Sequence, residues 1–184
     1  MVVAITKTYT PEDLLSMPDG DRYELVDGQL LERNVSALSS YIAARIVTAL
    51  SNFNDTKKFG WVFGDNTSFQ CFPDAPGKVR KPDSAFITRG RMSVDEVRNQ
   101  GHIKFAPDLV LEVVSPNDLA YEVNRKIEEW LEAGVKIVWV IDPEAKKVHI
   151  HRADGTATKL RESDDLSAEE VLPGFRCRIS ELFP

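Results

Sequence analysis

Residues 107–118, with the sequence PDLVLEVVSPND, contain the clearest signal of the fold. From Leu109 to Val114 every residue except Glu112 is apolar, whichever face of a strand it would occupy. A strand that is apolar on both faces is typical of the centre of a sheet covered by helices. Ser115-Pro116 then ends the strand, and a second apolar run follows at residues 136–141. These runs predict an α/β fold with a central mixed β-sheet.

Two amphipathic helices are expected to flank this sheet. The first begins near Ser36, and its apolar residues recur at helical spacing as far as Phe53. The second is expected to be capped by residues 115–118 and to end at Gly134. Its apolar stripe consists of Val123, Ile127, Trp130 and Leu131.

An N-terminal β-hairpin extension is expected around Asp27-Gly28, because this dipeptide separates two strand-like runs and favours a tight hairpin turn. Ahead of it, Thr10 and Pro11 have the types expected at the start of a short helix. Further strands are predicted at residues 60–64, 67–72, 83–88 and 147–151, with a last strand and turn within 172–183. Since no repeat or linker interrupts the pattern, residues 1–184 are expected to form a single domain.

The composition narrows the class of protein. Of the 184 residues, 42% are hydrophobic and 28% charged, which excludes wholesale disorder and a coiled-coil rod. No apolar run approaches the ~20 residues of a membrane helix, and the N-terminus lacks the pattern of a secretion signal. Two cysteines are too few for a disulfide framework or a cysteine-rich zinc site. A cytoplasmic protein without a membrane partner is expected.

Charge is unevenly distributed along the chain. The formal net charge is −6, yet residues 78–104 contain seven basic and three acidic side chains. A local basic surface can attract a polyanion despite an acidic total. The same residues can instead simply flank strands and keep loops soluble, and charge alone leaves both interpretations open.

Glu112 is the residue least suited to its surroundings. A carboxylate within a buried strand is costly unless it pairs with a cation or binds a metal, and the sequence leaves both alternatives open. Asp108 is too distant to share one ion with it, because four residues of strand span about 13 Å. Asp83, at the start of the predicted strand 83–88, is the better partner.

The motifs together resemble a known family. YELVDGQL (23–30), RKPDSAFI (80–87), PDLVLEVVSPND (107–118), Lys126 and GVKIVWVIDP (134–143) follow one another in the order found in a bacterial family described as restriction endonucleases. That family, formerly a domain of unknown function, belongs to the PD-(D/E)XK nuclease superfamily. The resemblance extends from about Tyr9 to Phe183 and implies a restriction-endonuclease-like fold.

The resemblance also implies roles for individual residues. Asp83 and Glu112 would be carboxylate ligands of Mg²⁺, with Mn²⁺ as a substitute, and the carbonyl of Val113 would be a third ligand. Val114 occupies the position of the usual catalytic lysine. In this family the lysine lies on the next helix, which makes Lys126 its counterpart. The alternative for Lys126 is a surface pair with Glu122, four residues earlier.

Glu24 matches an acidic position that this fold uses as an auxiliary metal or water contact. Its alternative is an exposed carboxylate on the hairpin. The activity implied is Mg²⁺-dependent hydrolysis of phosphodiester bonds in DNA, by a homodimer whose two sites cut both strands.

Two other functions remain open at this stage. Val114 in the lysine position, the acidic charge and the absence of a histidine from residues 39–41 favour a catalytically inactive binding or assembly module. A metal-dependent enzyme acting on RNA is the other, because a fold does not determine a substrate. His149 and His151 share one strand face and could chelate zinc, but the sequence shows no third ligand.

Overall fold

The computed structural model describes residues 7–98 and 101–184. Its helices are α1 Pro11–Ser16, α2 Ala37–Lys57, α3 Val94–Arg98 and α4 Ala120–Glu132. Its strands are β1 Tyr23–Val26, β2 Gln29–Glu32, β3 Gly60–Phe63, β4 Ser84–Thr88, β5 Leu109–Val113, β6 Ile137–Asp142, β7 Lys147–Arg152, β8 Ala157–Arg161, β9 Asp165–Ala168 and β10 Leu172–Arg178. No helix in these ranges is long and apolar enough to cross a bilayer.

A six-stranded mixed sheet, ordered β3-β4-β5-β6-β7-β8, forms the centre of the molecule. Its neighbours are antiparallel except β5 and β6, which are parallel and are connected by α4. All five residues of β5 are buried, as its double-sided apolar pattern predicted. The predicted α/β fold with a central mixed sheet is therefore confirmed.

Side chains of β5 alternate between two apolar clusters. Leu109, Leu111 and Val113 pack in the cluster that contains α2, whereas Val110 packs in the cluster that contains Ile127 and Trp130 of α4. The same alternation directs Glu112 toward α4.

The N-terminal hairpin β1-β2 forms its own two-stranded sheet. Asp27 and Gly28 both have positive φ, 51° and 74°, as the predicted tight turn requires. The hairpin is attached by a pair of backbone hydrogen bonds between Leu25 and Val79, 2.9 and 2.8 Å long. It therefore lies beside the segment that leads into β4.

Two local predictions are wrong. Residues 67–72 form no strand, because their ladder is limited to isolated bridges from Phe69 to Arg80 and Ile103. Phe69 is instead fully buried against Trp130. Residues 115–118 do not cap α4: the N-cap is Leu119, which makes no side-chain capping bond, and the side chain of Asp118 accepts the N–H of Ser115.

Candidate active site

A cavity of about 350 Å³ opens between the hairpin, the ends of β4 and β5, and α4. All four side chains proposed from the sequence, Glu24, Asp83, Glu112 and Lys126, line it, and so does Val113. They come from segments far apart in the chain, so the fold is what brings them together.

Strand pairing places Asp83 next to Glu112. Asp83 immediately precedes β4, and the antiparallel register pairs Ser84 with Leu111 of β5. The backbone N–H of Val113 donates to Oδ2 of Asp83 at 2.7 Å. One carboxylate is thus held by the strand that carries the other.

Lys126 extends from α4 onto these strands. Its Nζ donates to Oε2 of Glu112 at 2.8 Å and lies 3.0 Å from Oε1 of Glu24. No ion pair joins it to Glu122 within the described residues. Lys126 lies four residues before Trp130, and residues at this spacing share one face of a helix. Its ammonium therefore points toward the sheet, on which Trp130 packs.

Trp130 makes a polar contact that the sequence did not reveal. Its indole N–H donates to Oε1 of Glu112 at 2.8 Å, while its ring packs between Phe69 and Phe72. Lys126 and Trp130 lie four residues apart on α4, so each holds one oxygen of Glu112. The apolar stripe gave no signal of this role, because tryptophan fits a buried stripe on its hydrophobicity alone.

Glu24 is buried, with only 6% of its surface exposed, and is not the exposed hairpin carboxylate of the alternative interpretation. Nη1 of Arg80 donates to one of its oxygens at 2.7 Å. The other oxygen accepts the backbone N–H of Lys81 at 2.8 Å and lies 3.0 Å from Lys126. Glu24 therefore links the hairpin to both the lysine and the segment that precedes Asp83.

Arg80 continues the network of charges away from the cavity. It donates through Nε and Nη2 to Glu129 of α4, at 2.8 and 2.7 Å, and Lys78 pairs with the same glutamate at 2.8 Å. Of the basic segment 78–104, Arg91 and Arg98 are also paired with acids. Four of the seven basic residues of the segment thus pair with acids within the chain, which favours the interpretation that does not require a polyanion.

Glu112 and Asp83 both have a raised pKa, because their surroundings disfavour the ionised form. Burial raises the pKa of Glu112 to about 7, with further contributions from Asp83 and Glu24 that Lys126 only partly offsets. Burial likewise raises the pKa of Asp83, against the opposing effect of Lys126 and of its hydrogen bond from Val113. Positive charge added to the cavity would lower both pKa values and stabilise both ionised carboxylates.

In Glu24 and Lys126, by contrast, the surroundings stabilise the charged form. Burial would raise the pKa of Glu24, but Lys126 and Arg80 outweigh it and hold that pKa at about 2. Burial would lower the pKa of Lys126, but the adjacent Glu112 and Glu24 raise it instead. At neutral pH Glu24 is ionised and Lys126 is a fixed cation.

The residues present suit a hard divalent cation. In the described residues no group of three or more His, Cys, Asp or Glu side chains is arranged to hold a metal. Mg²⁺, however, is commonly held by one or two carboxylates with its other positions left to water and phosphate. The adjacent, electrostatically strained carboxylates of Asp83 and Glu112 fit that all-oxygen donor set, to which the Val113 carbonyl would add.

Two other candidates lie outside this site. Asp108 is fully buried, accepts the backbone N–H of Thr88, and pairs with Arg91 and Lys136. The rings of His149 and His151 stack 6.4 Å apart, and the described part of the chain offers them no cluster of metal ligands.

The mixed sheet, with Asp83 just before β4 and Glu112 on the adjacent β5, is the arrangement expected of the restriction-endonuclease-like class of fold, and here the lysine comes from the following helix. Residues 11–180 match the sequence profile of the Uma2 family, whose description is "Putative restriction endonuclease". The chain belongs to this family, which confirms the resemblance inferred from the motifs.

A solved structure shows the same architecture. The crystal structure of a putative nuclease of the DUF820 family from Anabaena variabilis is 19% identical in sequence, with a TM-score of 0.78. The match covers 95% of this chain and 97% of that protein. At this level of identity the likeness establishes the fold, including the predicted restriction-endonuclease-like class. No curated protein matches the sequence.

Proposed function

We propose that the chain is a Mg²⁺-dependent DNA endonuclease whose catalytic residues are Asp83, Glu112 and Lys126, assisted by Glu24. The contact of Lys126 with Glu112 at 2.8 Å carries this proposal, because it returns an ammonium to the acidic pair although the usual position is occupied by Val114. Membership of a family described as restriction endonucleases supports a nuclease as the class of enzyme.

The reaction is hydrolysis of a phosphodiester. A water oxygen attacks phosphorus, the bond from phosphorus to one ester oxygen breaks, and that oxygen leaves with a proton. Lys126 contributes a fixed positive charge rather than a base, because its raised pKa keeps the ammonium protonated. Held at the cavity wall, this ammonium orients the water or stabilises the charge that builds on the phosphate oxygens.

Asp83, Glu112 and the carbonyl of Val113 would hold Mg²⁺, and Mn²⁺ should replace it. When bound, the ion would neutralise charge on the phosphodiester and acidify a water molecule. Glu24 keeps Lys126 beside the acidic pair through its own contact with the ammonium and with Arg80. We further propose a homodimer, since cleavage of both strands of a duplex favours two symmetric sites.

A second candidate function is a catalytically inactive binding or assembly module. The observation that favours it is that each oxygen of the acidic pair already has a partner within the chain: Lys126 and Trp130 donate to the two oxygens of Glu112, and Val113 and Arg33 to those of Asp83. A site that had lost its metal would keep such internal bonds as structural contacts.

Cleavage of supercoiled plasmid with Mg²⁺ or Mn²⁺ tests the proposal, with Glu112→Ala and Lys126→Ala beside the wild type. Metal-dependent nicking that disappears in both variants would support the nuclease and the lysine from the helix together. Nicking that survives Glu112→Ala would place the activity elsewhere. Absence of nicking together with absence of calorimetric Mg²⁺ binding would leave the binding module.

A further inference from the structure

Arg33 is a nearly buried cation that lines the same cavity. Only 11% of its side-chain surface is exposed, and it follows directly after β2. Its backbone N–H donates to the carbonyl of Arg22 at 3.0 Å, which extends the pairing of the hairpin by one residue. The hairpin therefore presents this guanidinium to the acidic pair from the opposite wall.

The guanidinium of Arg33 has few protein partners. It makes one long contact, from Nη2 to Oδ1 of Asp83 at 3.4 Å, and no other side-chain partner within the described ranges. By contrast, the cations Arg80 and Lys126 each bind two carboxylates at 3.0 Å or less. Most N–H groups of Arg33 are thus available to something that enters the cavity.

The segment that carries Arg33 is anchored to the loop between β5 and α4. Nδ2 of Asn34 donates to Oδ1 of Asp118 at 3.2 Å, across to the loop that precedes α4. The hydroxyl of Ser115 donates to the backbone carbonyl of Asn34 at 3.0 Å. These bonds fix the segment that carries the arginine without using the arginine itself.

A second cation on this side of the cavity likewise has few acidic partners. Lys81 also lines the cavity and is buried, but its Nζ donates to the carbonyl of Gly20 at 2.7 Å rather than to an acid. Among the described residues no carboxylate pairs with Lys81 within 4.0 Å. Asp83 is the one acid that pairs with either cation.

We propose that Arg33 binds a phosphate group of the nucleic acid substrate beside Asp83 and Glu112. This inference rests on the proposed nuclease function and adds a substrate-binding residue to it. The planar guanidinium matches two phosphate oxygens at once, and such a bidentate contact is stronger than the single long contact to Asp83. Binding of substrate would exchange that contact for two short ones.

The test compares Arg33→Gln and Arg33→Lys with the wild type and with Arg22→Gln. Arg22 is a control of the same residue type, because its side chain is 61% exposed and pairs with Glu32 on the hairpin surface. Fluorescence anisotropy measures binding of a short fluorescein-labelled DNA duplex in Ca²⁺ buffer. Calorimetry measures Mn²⁺ binding, thermal unfolding reports stability, and plasmid nicking reports activity.

We expect the dissociation constant of the duplex to be about tenfold higher for Arg33→Gln than for the wild type. Arg33→Lys should recover part of the affinity, and Arg22→Gln should bind like the wild type. Mn²⁺ affinity should be equal or higher, because a cation beside Asp83 has been removed.

Unchanged duplex binding would overturn the inference. Weaker Mn²⁺ binding together with lower stability would also overturn it, because that result would show that Arg33 is a structural support of Asp83. A wild type that nicks plasmid while Arg33→Gln binds and cleaves normally would remove the inference alone. A wild type that neither binds nor nicks would remove the proposed function as well.

Discussion

The ammonium of Lys126 lies 2.8 Å from the carboxylate of Glu112, a residue 14 positions earlier in the chain. The contact forms because Glu112 lies on a fully buried strand and faces α4. Lys126 lies on the α4 face that is turned toward Glu112, one helical turn before Trp130. The two side chains are only 20% and 12% exposed, which makes the geometry of this contact matter more than that of a surface pair.

Trp130→Phe should destabilise the protein by about 2 kcal/mol at pH 8, because it removes a hydrogen bond to a buried charge. Trp139→Phe is the matched control: its indole Nε1 is buried without a partner in the described chain, so it loses ring volume but no hydrogen bond. Urea unfolding of both variants measures the difference. Equal losses would show that the bond to Glu112 contributes no stability.

Arg80→Met should lower the unfolding free energy by about 3–5 kcal/mol, because it leaves Glu24 and Glu129 without their shared cation. Arg176→Met, which breaks a pair whose side chains are 52% and 50% exposed, should cost much less stability. Urea unfolding checks both. A loss in Arg80→Met no larger than in Arg176→Met would contradict a stabilising role for the buried network.

Acid stability should depend on Glu24. Its folded pKa of about 2 lies below the ordinary 4.5, so its ionised form stabilises the fold above pH 4.5, and this contribution disappears as the pH falls toward 2. The contribution is about 3 kcal/mol. As the pH is lowered from 6 to 2, the unfolding free energy should therefore decrease more steeply for the wild type than for Glu24→Gln. Parallel curves would refute the depressed pKa.

Gly60→Ala should prevent normal folding, whereas Gly64→Ala should be tolerated within about 0.5 kcal/mol. A Cβ at position 60 would lie 2.1 Å from the backbone oxygen of Ile87, but a Cβ at position 64 would meet nothing within 4 Å. Circular dichroism and thermal unfolding compare the two variants. A stable Gly60→Ala protein would show that β3 can move away from β4.

Patterns within a few residues predicted the framework. The alternation-free apolar run 109–114 predicted β5, and the Asp27-Gly28 pair predicted the hairpin, because both signals depend on local backbone and burial requirements. Residues 67–72 misled for the same reason: Phe69 and Phe72 suggested a strand, but their burial comes from packing against Trp130. Strands β8 and β9 were missed, since β8 is polar and largely exposed.

The candidate site was predictable only in part. Motif order indicated which acids and which lysine to consider, and the structure brings Glu24, Asp83, Glu112 and Lys126 to one cavity. Their catalytic roles stay predictions. The partners Arg80, Arg33 and Trp130 were not identified, because a sequence gives no measure of which distant carboxylate a cation or indole will meet.

The hairpin contributes no strand to the main sheet, yet it forms one wall of the cavity. Leu30, Leu31 and Glu32 of β2 line that wall, and the strand is largely exposed. Substitutions at exposed positions cost little stability. A new side chain on β2 would therefore reshape this wall of the cavity at little cost in stability, and the main sheet that carries Glu112 would not have to change.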